Sequence, residues 1–325
     1  MTSQIKLNSV FKNYVDNQHS GVSGINLEIS KGEIVSIVGE SGSGKSTLLK
    51  LIYGILVPQE GEVLYEGNRI LGPSEKLIPG HDDMRMVTQE VTLNLYARVF
   101  DNISGQLSNT DLETKHDLTL KTMKFLRIDH LANKKIVDLS GGEQQRVAIA
   151  RAIITEPTVL LLDEPFSMID TILKRQLRDD IERLSRELDI TVIMVSHDPS
   201  DALSLADKLV VIKDGQIVRQ GHPKTIYSNP QNAYVAKLLG SANIIDGSVL
   251  NREGLLAAYP QDIYLDTTAA GYAASVKSVH FCGTYNEITY ILANQHITAY
   301  DFNFLEIEEG NGVRINFRDL KLLKE

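Results

Sequence analysis

A glycine-rich stretch near residue 40 has the residue types and spacing needed to hold a chain of phosphates. Residues 39–46 fit the full pattern of a glycine, four variable residues, then glycine, lysine and serine. Glycines let successive backbone N–H groups turn towards one anion, and a helix that starts directly afterwards adds a favourable dipole. Lys45 is expected to reach the β- and γ-phosphates of a nucleotide, and Ser46 to bind Mg²⁺. The expected phosphate contacts are Gly39, Ser41, Gly42, Ser43, Gly44, Lys45, Ser46 and Thr47.

Two adjacent carboxylates follow an apolar run much later in the chain. Residues 159–162 are Val-Leu-Leu-Leu, and Asp163 and Glu164 come next. Asp163 is expected to hold Mg²⁺, as acidic residues after a strand do in phosphate-transfer enzymes. Successive side chains at the end of a strand point in different directions. Glu164 is therefore expected to face an attacking water as a general base.

A second possible anion site lies at residues 139–143, which read Leu-Ser-Gly-Gly-Glu and precede a helical pattern. Ser140 is a residue type that favours the helix N-cap. Gly141 and Gly142 permit close approach of another group to the backbone at the start of the helix. The anion bound there need not belong to the same chain.

The elements that must position these groups alternate between strands and helices up to about residue 240. An apolar stripe at helical spacing predicts a helix over residues 171–188, and we expect its polar face to hold the pairs Arg178–Glu182 and Glu182–Arg186. Strands that alternate with helices predict an α/β domain with a mostly parallel sheet. The apolar runs that predict buried strands are residues 34–38, 158–162, 191–195 and 208–212.

After about residue 240 the pattern changes to alternating apolar and polar residues. Ile288, Tyr290 and Leu292 show this alternation, which predicts a small antiparallel β domain. The only cysteine, Cys282, is expected to be a small buried apolar residue. Residues 241–325 carry six basic and eleven acidic side chains, which argues against binding of nucleic acid by this part.

The composition sets limits on the class of protein. The chain has 325 residues, 42% of them hydrophobic and 23% charged, so a folded globular protein with a sizeable core is expected. Its formal net charge is −9, which does not suit a nucleic-acid-binding surface. No apolar run approaches the ~20 residues of a membrane span, so we expect any membrane association to come through a partner.

Residues 139–143 resemble the signature of ATP-binding cassette (ABC) transporter ATPases, with Glu143 where glutamine is commoner. The resemblance implies a P-loop NTPase core in residues 1–240, with a helical subdomain at about 90–155. Residues 230–243 resemble the linker that leads into an OB-like "TOBE" module in importer ATPases of the maltose, polyamine and iron type, and residues 259–263 resemble a segment of that module. The resemblance therefore implies such a module in residues 241–325. The fold class expected is therefore α/β, followed by a small all-β domain.

The resemblance also implies roles for residues outside these three motifs. Gln89 resembles the glutamine that contacts Mg²⁺ and water and senses the membrane partner. Asp170 resembles the aspartate that touches the opposite subunit, and His197 the histidine that contacts the γ-phosphate. Tyr14 lies where the family places an aromatic ring on adenine, although Phe11 is an alternative.

The family resemblance implies an ATP-hydrolysing importer subunit with ATP and Mg²⁺ as its ligands. Two copies would form a head-to-tail homodimer and act on transmembrane permease subunits, served by an extracytoplasmic solute-binding protein. Nucleic acid is not an expected partner, and the expected location is the cytoplasmic face of the membrane. Two alternatives stay open: an export or lipid-transport ATPase, and a soluble ABC ATPase that acts on nucleic acid or ribosomes. The transported solute cannot be deduced from these residues.

Overall fold

The computed structural model describes residues 3–14, 17–89, 92–167, 169–266 and 270–324. The chain forms two compact units, Met1–Pro223 and Lys224–Glu325. The division lies before the boundary at residue 240 that the sequence suggested. The reason is a small apolar cluster in the second unit, in which Ala236 packs with Tyr259 and Leu323.

The first unit contains two sheets. Its strands are β1 (Ser3–Tyr14), β2 (Asn17–Ser30), β3 (Ile34–Val38), β4 (Glu60–Tyr65), β5 (Asn68–Arg69), β6 (Met84–Val87), β7 (Val159–Asp163), β8 (Thr191–Ser196), β9 (Lys208–Lys213) and β10 (Gln216–Gly221). Strands β1, β2, β4 and β5 form an antiparallel sheet in the order β2-β1-β4-β5, and the others form a six-stranded sheet in the order β10-β9-β3-β8-β7-β6.

The six-stranded sheet is parallel from β9 to β6, and only β10 runs antiparallel to its neighbour. Every residue of β3, β7 and β8 is buried, because the sheet is covered on both faces. Continuous apolar runs are typical of such strands, and the predicted α/β fold is confirmed. The helices of this unit are α1 (Lys45–Tyr53), α2 (Val99–Ser104), α3 (Leu112–Phe125), α4 (Gly141–Ile153), α5 (Thr171–Leu188) and α6 (Pro199–Leu205).

Helices α2, α3 and α4 lie in the part of the chain for which a helical subdomain was expected. Val99, Met123 and Val147 belong to one apolar core that also includes Leu160 and Leu162 of β7. Residues 90 and 91, at the start of the expected subdomain, lie outside the described residues. None of the helices in the described ranges is long and apolar enough to cross a membrane.

The second unit consists of two short helices followed by strands. The elements are α7 (Pro223–Ser228), α8 (Ala233–Gly240), β11 (Asn243–Asp246), β12 (Leu255–Ala258), β13 (Ile263–Leu265), β14 (Tyr272–Phe281), β15 (Asn286–Leu292), β16 (Gln295–Asp301), β17 (Gly312–Phe317) and β18 (Lys321–Leu322). The sheets have the strand orders β11-β12-β18 and β13-β17-β14-β15-β16. Ile288, Tyr290 and Leu292 alternate into the core of this unit, as the sequence pattern predicts, and the curled, strand-rich arrangement is consistent with an OB-like domain.

Cys282 is exposed, so the prediction that it is buried is wrong. It follows the last residue of β14, and its backbone N–H donates to the carbonyl oxygen of Tyr285 at 2.9 Å. The residue therefore lies in the turn of a hairpin, where the alternation of the flanking strands no longer decides which side chains face the core.

Candidate nucleotide-binding site

The candidate groups lie where four parallel strands end. The glycine-rich loop follows β3, Gln89 follows β6 by two residues, Asp163 is the last residue of β7, and His197 follows β8. In the strand register Val38 is paired with Ser196, and Asp163 with Val195. Carboxyl ends of parallel strands share one edge of a sheet, which is the usual ligand-binding edge of an open α/β fold.

The glycine-rich loop leads into α1 through Gly44, whose φ of 101° and ψ of 4° are unfavourable for other residues. A Cβ on Gly44 would lie 2.3 Å from the carbonyl oxygen of Gly21, so this position has no room for a side chain. The buried Nζ of Lys45 donates to the carbonyl oxygens of Gly39 at 2.8 Å and Glu40 at 2.7 Å. The loop thus curls around the ammonium group.

Burial lowers the pKa of Lys45, while the carboxylates of Glu164 and Asp163 act in the opposite direction. The Ser43 hydroxyl is also buried, and no described residue forms a hydrogen bond with it. A buried hydroxyl without a partner is costly unless a ligand or water supplies one. Both observations fit a loop that is completed by an anion.

The Ser46 hydroxyl donates a hydrogen bond of 3.2 Å to Oδ1 of Asp163. Burial raises the pKa of the Asp163 carboxyl, and this hydrogen bond only partly opposes the effect. A hydroxyl and a carboxylate are oxygen ligands of the kind that Mg²⁺ prefers. The pair therefore fits a magnesium ion, whose positive charge would offset the cost of burying the carboxylate.

Glu164 and His197 meet beside the glycine-rich loop. Nδ1 of His197 lies 3.2 Å from Oε2 of Glu164. Glu164 has a φ of 50°, in the left-handed region that few residues other than glycine adopt, and its N–H donates to the carbonyl oxygen of Val195 at 3.0 Å. The turn after β7 thus points the carboxylate towards the end of β8.

A cleft of about 310 Å³ brings most of the predicted residues together. Gly21 was missed by the sequence analysis because it belongs to no motif, although a glycine in strand β2 can mark a close approach of two backbones. The cleft is lined by Gly21, Ser41, Gly42, Gly44, Lys45, Ser46, Thr47, Gln89, Glu164 and His197.

The signature residues lie outside the lining of this cleft in the described chain. Ser140 caps α4 in a reciprocal arrangement: its hydroxyl accepts from the N–H of Glu143 at 3.3 Å, and its own N–H donates to the Glu143 carboxylate at 2.8 Å. Ser140 and Gly141 are exposed, and Gly142 is buried beside Ile169. The start of α4 is therefore exposed at Ser140 and Gly141.

Asp170 accepts a hydrogen bond of 3.1 Å from the N–H of Leu173 in the first turn of α5. The neighbouring residue 168 of the same predicted loop lies outside the described residues. Tyr14 is the last residue of β1, one position beyond Asn13, which is paired with Gly21 of the cleft. The structure thus places Tyr14 near the edge of the cleft without making it a lining residue.

Comparison with known proteins places the chain in a family. Residues 22–167 match the family model described as ABC transporter. The spermidine/putrescine import ATP-binding protein PotA of Mesoplasma florum is 37% identical over 253 residues, covering 76% of this chain and 70% of that protein. The protein of the same name from Legionella pneumophila is 33% identical over 311 residues, covering 95% of this chain and 82% of that protein.

Solved structures show the same likeness. The CbiO1 subunit of Clostridium perfringens, part of an ABC transporter complex, matches 71% of this chain and 92% of its own with 29% identity and a TM-score of 0.63. A dimeric ATP-binding cassette solved with ADP and phosphate after hydrolysis matches 67% of this chain and 98% of its own, with 30% identity and a TM-score of 0.59. The chain belongs to the ATP-binding proteins of ABC transporters.

Proposed function

We propose that this chain hydrolyses ATP to drive solute import through separate transmembrane subunits. The observation that carries the proposal is the pairing of Glu164 with His197 at 3.2 Å in the cleft that also contains Lys45. A carboxylate and an imidazole at this place can act on the terminal phosphate and on a water beside it. The import ATPases among the relatives support the direction of transport.

In this mechanism Lys45 and the N–H groups of the glycine-rich loop hold the β- and γ-phosphates. Glu164 accepts a proton from the attacking water, and His197 holds Glu164 and the γ-phosphate in position. Ser46, Asp163 and Gln89 would hold Mg²⁺, which when bound neutralises charge on the phosphates. Since the Glu164 carboxylate is fixed by a hydrogen bond to His197, it needs little rearrangement before the water attacks.

The active form we propose is a head-to-tail homodimer with two ATP molecules between the copies. Ser140 and Gly141 are exposed at the start of α4 and lie outside the cleft of their own chain. Together with Gly142 they would meet the γ-phosphate held by the partner, and Asp170 would touch the partner's chain. ATP then favours the closed dimer, and hydrolysis releases it.

For the transported solute we propose a polyamine, because the relatives are named as spermidine/putrescine import proteins and one of them covers 95% of this chain. Permease subunits would hold the chain at the cytoplasmic face of the membrane, and a solute-binding protein would deliver the solute. The test is ATP hydrolysis by the complex with its permease in vesicles. Spermidine with its binding protein should stimulate hydrolysis, and maltose should not.

Glu164→Gln tests the catalytic part of the proposal. The variant should hydrolyse ATP roughly 10²–10⁴-fold more slowly, the usual effect of losing a general base. It should still bind ATP through Lys45 and should form a dimer with ATP that gel filtration detects. Glu253→Gln, the same change at an exposed position of the second unit, is the matched control and should hydrolyse ATP normally. Turnover of Glu164→Gln close to that of the control would refute the role of Glu164.

A further inference from the structure

Exposed aromatic side chains are concentrated at one end of the five-stranded sheet in the second unit. Phe281 is 75% exposed, Phe302 54%, and Phe304 45%. These three are the exposed phenylalanines among the described residues. Single exposed apolar residues are ordinary, whereas a group of them marks a surface that binds something. We call this group the aromatic patch, which comprises Phe281, Tyr285, Tyr300, Phe302, Phe304 and Leu305.

The rings of the patch form two groups whose members contact each other. Tyr285 lies with its ring centre 4.4 Å from that of Tyr300 and 5.8 Å from that of Phe302. The rings of Phe281 and Phe304 are 6.0 Å apart. These distances are typical of aromatic pairs, so the five rings form two contacting groups, and both groups lie on residues 281–285 and 300–304.

The loop that carries half of the patch is held by Asp301. Its carboxylate accepts hydrogen bonds from the N–H of Asn303 at 3.0 Å and from the N–H of Leu305 at 2.7 Å. The loop is therefore fixed with Phe302, Phe304 and Leu305 facing outwards. A surface that is already ordered loses little conformational entropy when a partner binds.

Residues 278–313, the stretch of chain that carries the patch, contain acidic side chains and neither lysine nor arginine. Glu287 lies close enough to Tyr300 to raise the pKa of its phenol, although burial is the larger cause. The carboxylates of this stretch are Glu287, Asp301, Glu306, Glu308 and Glu309.

We propose that the aromatic patch is the docking surface for a basic, apolar segment of a partner protein. Apolar side chains of that segment would cover the rings, and its lysines or arginines would pair with the carboxylates and lie against the aromatic faces. A second copy of this chain fits poorly, because the acidic stretch of one copy would meet the same acidic stretch of the other. An anionic membrane surface would be repelled for the same reason.

The single cysteine of the chain provides a reporter. Cys282 is exposed and directly follows Phe281, so an environment-sensitive fluorophore on its thiol lies in the patch without any substitution. The probes are a helical peptide of leucine and lysine, the same peptide with glutamate for each lysine, and spermidine. Competition by unlabelled full-length protein shows whether the fluorophore itself creates binding.

The leucine–lysine peptide should bind, more weakly as salt is raised, and the leucine–glutamate peptide should not. The double variant Phe302→Ser, Phe304→Ser should weaken binding about tenfold or more, since truncating aromatic anchors has effects of this size. Leu322→Ser is the matched control, because Leu322 is exposed in the same unit but lies outside the patch. This control should bind the peptide as well as the unsubstituted protein does.

Three results would overturn the proposal. The first is equal binding of the two peptides, or no binding of the basic one. The second is a fluorescence change that depends on protein concentration alone and is lost in the double variant, which would make a second copy the occupant. The third is binding of spermidine as tight as that of the peptide, which would make the patch a site for a small cation. None of these outcomes depends on ATP hydrolysis, so each of them can occur whether or not the proposed function is correct.

Discussion

Lys174 forms an ion pair with Asp198, the residue that follows His197. The Lys174 ammonium lies 2.5 Å from Oδ2 of Asp198 and 3.0 Å from Oδ1 of the buried Asp201. Lys174 is in the first turn of α5, the helix that Asp170 caps. The Lys174 side chain therefore links the loop that contains His197 to α5. This helix begins next to Asp170, the residue that we propose contacts the partner subunit.

Lys174→Met should slow ATP hydrolysis by roughly 10- to 100-fold, because a small displacement of a positioning group costs up to about that much. The loss should appear in kcat, with KM for ATP nearly unchanged, since Lys174 is not among the residues that line the cleft. Lys31→Met is the matched control, because Lys31 pairs with Asp189 in an exposed ion pair. If the two variants hydrolyse ATP equally well, Lys174 does not position His197.

The ion pair between Lys174 and Asp198 should make the free energy of unfolding depend on pH in the acidic range. Burial alone would raise the pKa of Asp198, but hydrogen bonds from Lys174 and Ser200 lower it to about 2. A carboxyl with a lowered pKa in the folded state stabilises the fold above its ordinary pKa, and the contribution is lost as the pH falls towards 2. Unfolding by urea between pH 5 and pH 2 should therefore show a smaller loss of stability in Lys174→Met than in the unsubstituted protein. An identical loss in both proteins would mean that other carboxylates dominate this range.

Tyr14→Ala should weaken binding of ATP, ADP and GTP to similar extents. Stacking of a base on an aromatic ring is worth roughly 1–3 kcal/mol, a scale taken from single-strand nucleic-acid binding. Titration with a fluorescent ATP analogue measures the effect. Phe11→Ala is the comparison, because Phe11 lies three residues earlier in β1, where its carbonyl oxygen accepts from the N–H of Gln59. If only Phe11→Ala weakens binding, the wrong aromatic residue has been assigned.

A chain ending at Pro223 should fold and bind ATP with an affinity within about tenfold, or ~1.4 kcal/mol, of the full chain. A chain ending at Gly240 should be less soluble, because it keeps α8 without the residues that cover it. Ala236 of α8 packs with Tyr259 and Leu323, and this apolar contact would be lost. Tyr259 stacks on Tyr227 at 4.3 Å, and its ring leaves no room for a side chain at Gly240. Equal protease resistance of residues 224–240 in the chain that ends at Gly240 and in the full chain would contradict the expected loss of packing around α8.

Local sequence patterns predicted the bounds of helices and strands better than they predicted which side chains form ion pairs. Strand β3 and helix α5 have the bounds that the apolar periodicity indicated, since the core decides which residues they bury. Arg178 was expected to pair with Glu182 on its own helix, yet it forms its ion pair with Asp201. A local pair is worth only a few tenths of a kcal/mol, so a buried carboxylate from another element competes easily. Periodicity carries no information on such distant partners.

The candidate cleft was largely predictable because its predicted residues lie at the end of a strand or shortly after it. Once β3, β6, β7 and β8 are parallel neighbours, their carboxyl ends must meet. Gly21 and Lys174 were not predictable in this way. Their importance depends on which backbone or loop approaches them, and that is set by the packing of sheets and helices rather than by a pattern in the sequence.

The left-handed backbone conformation of Glu164 lowers the stability of the fold at the residue that we propose as the general base. A non-glycine residue in that conformation costs about 1 kcal/mol or more, which glycine would recover. A screen that selects variants by melting temperature alone will therefore favour Glu164→Gly. Its most stable products would be the ones in which the proposed general base has been removed, so heat resistance and turnover must be selected together.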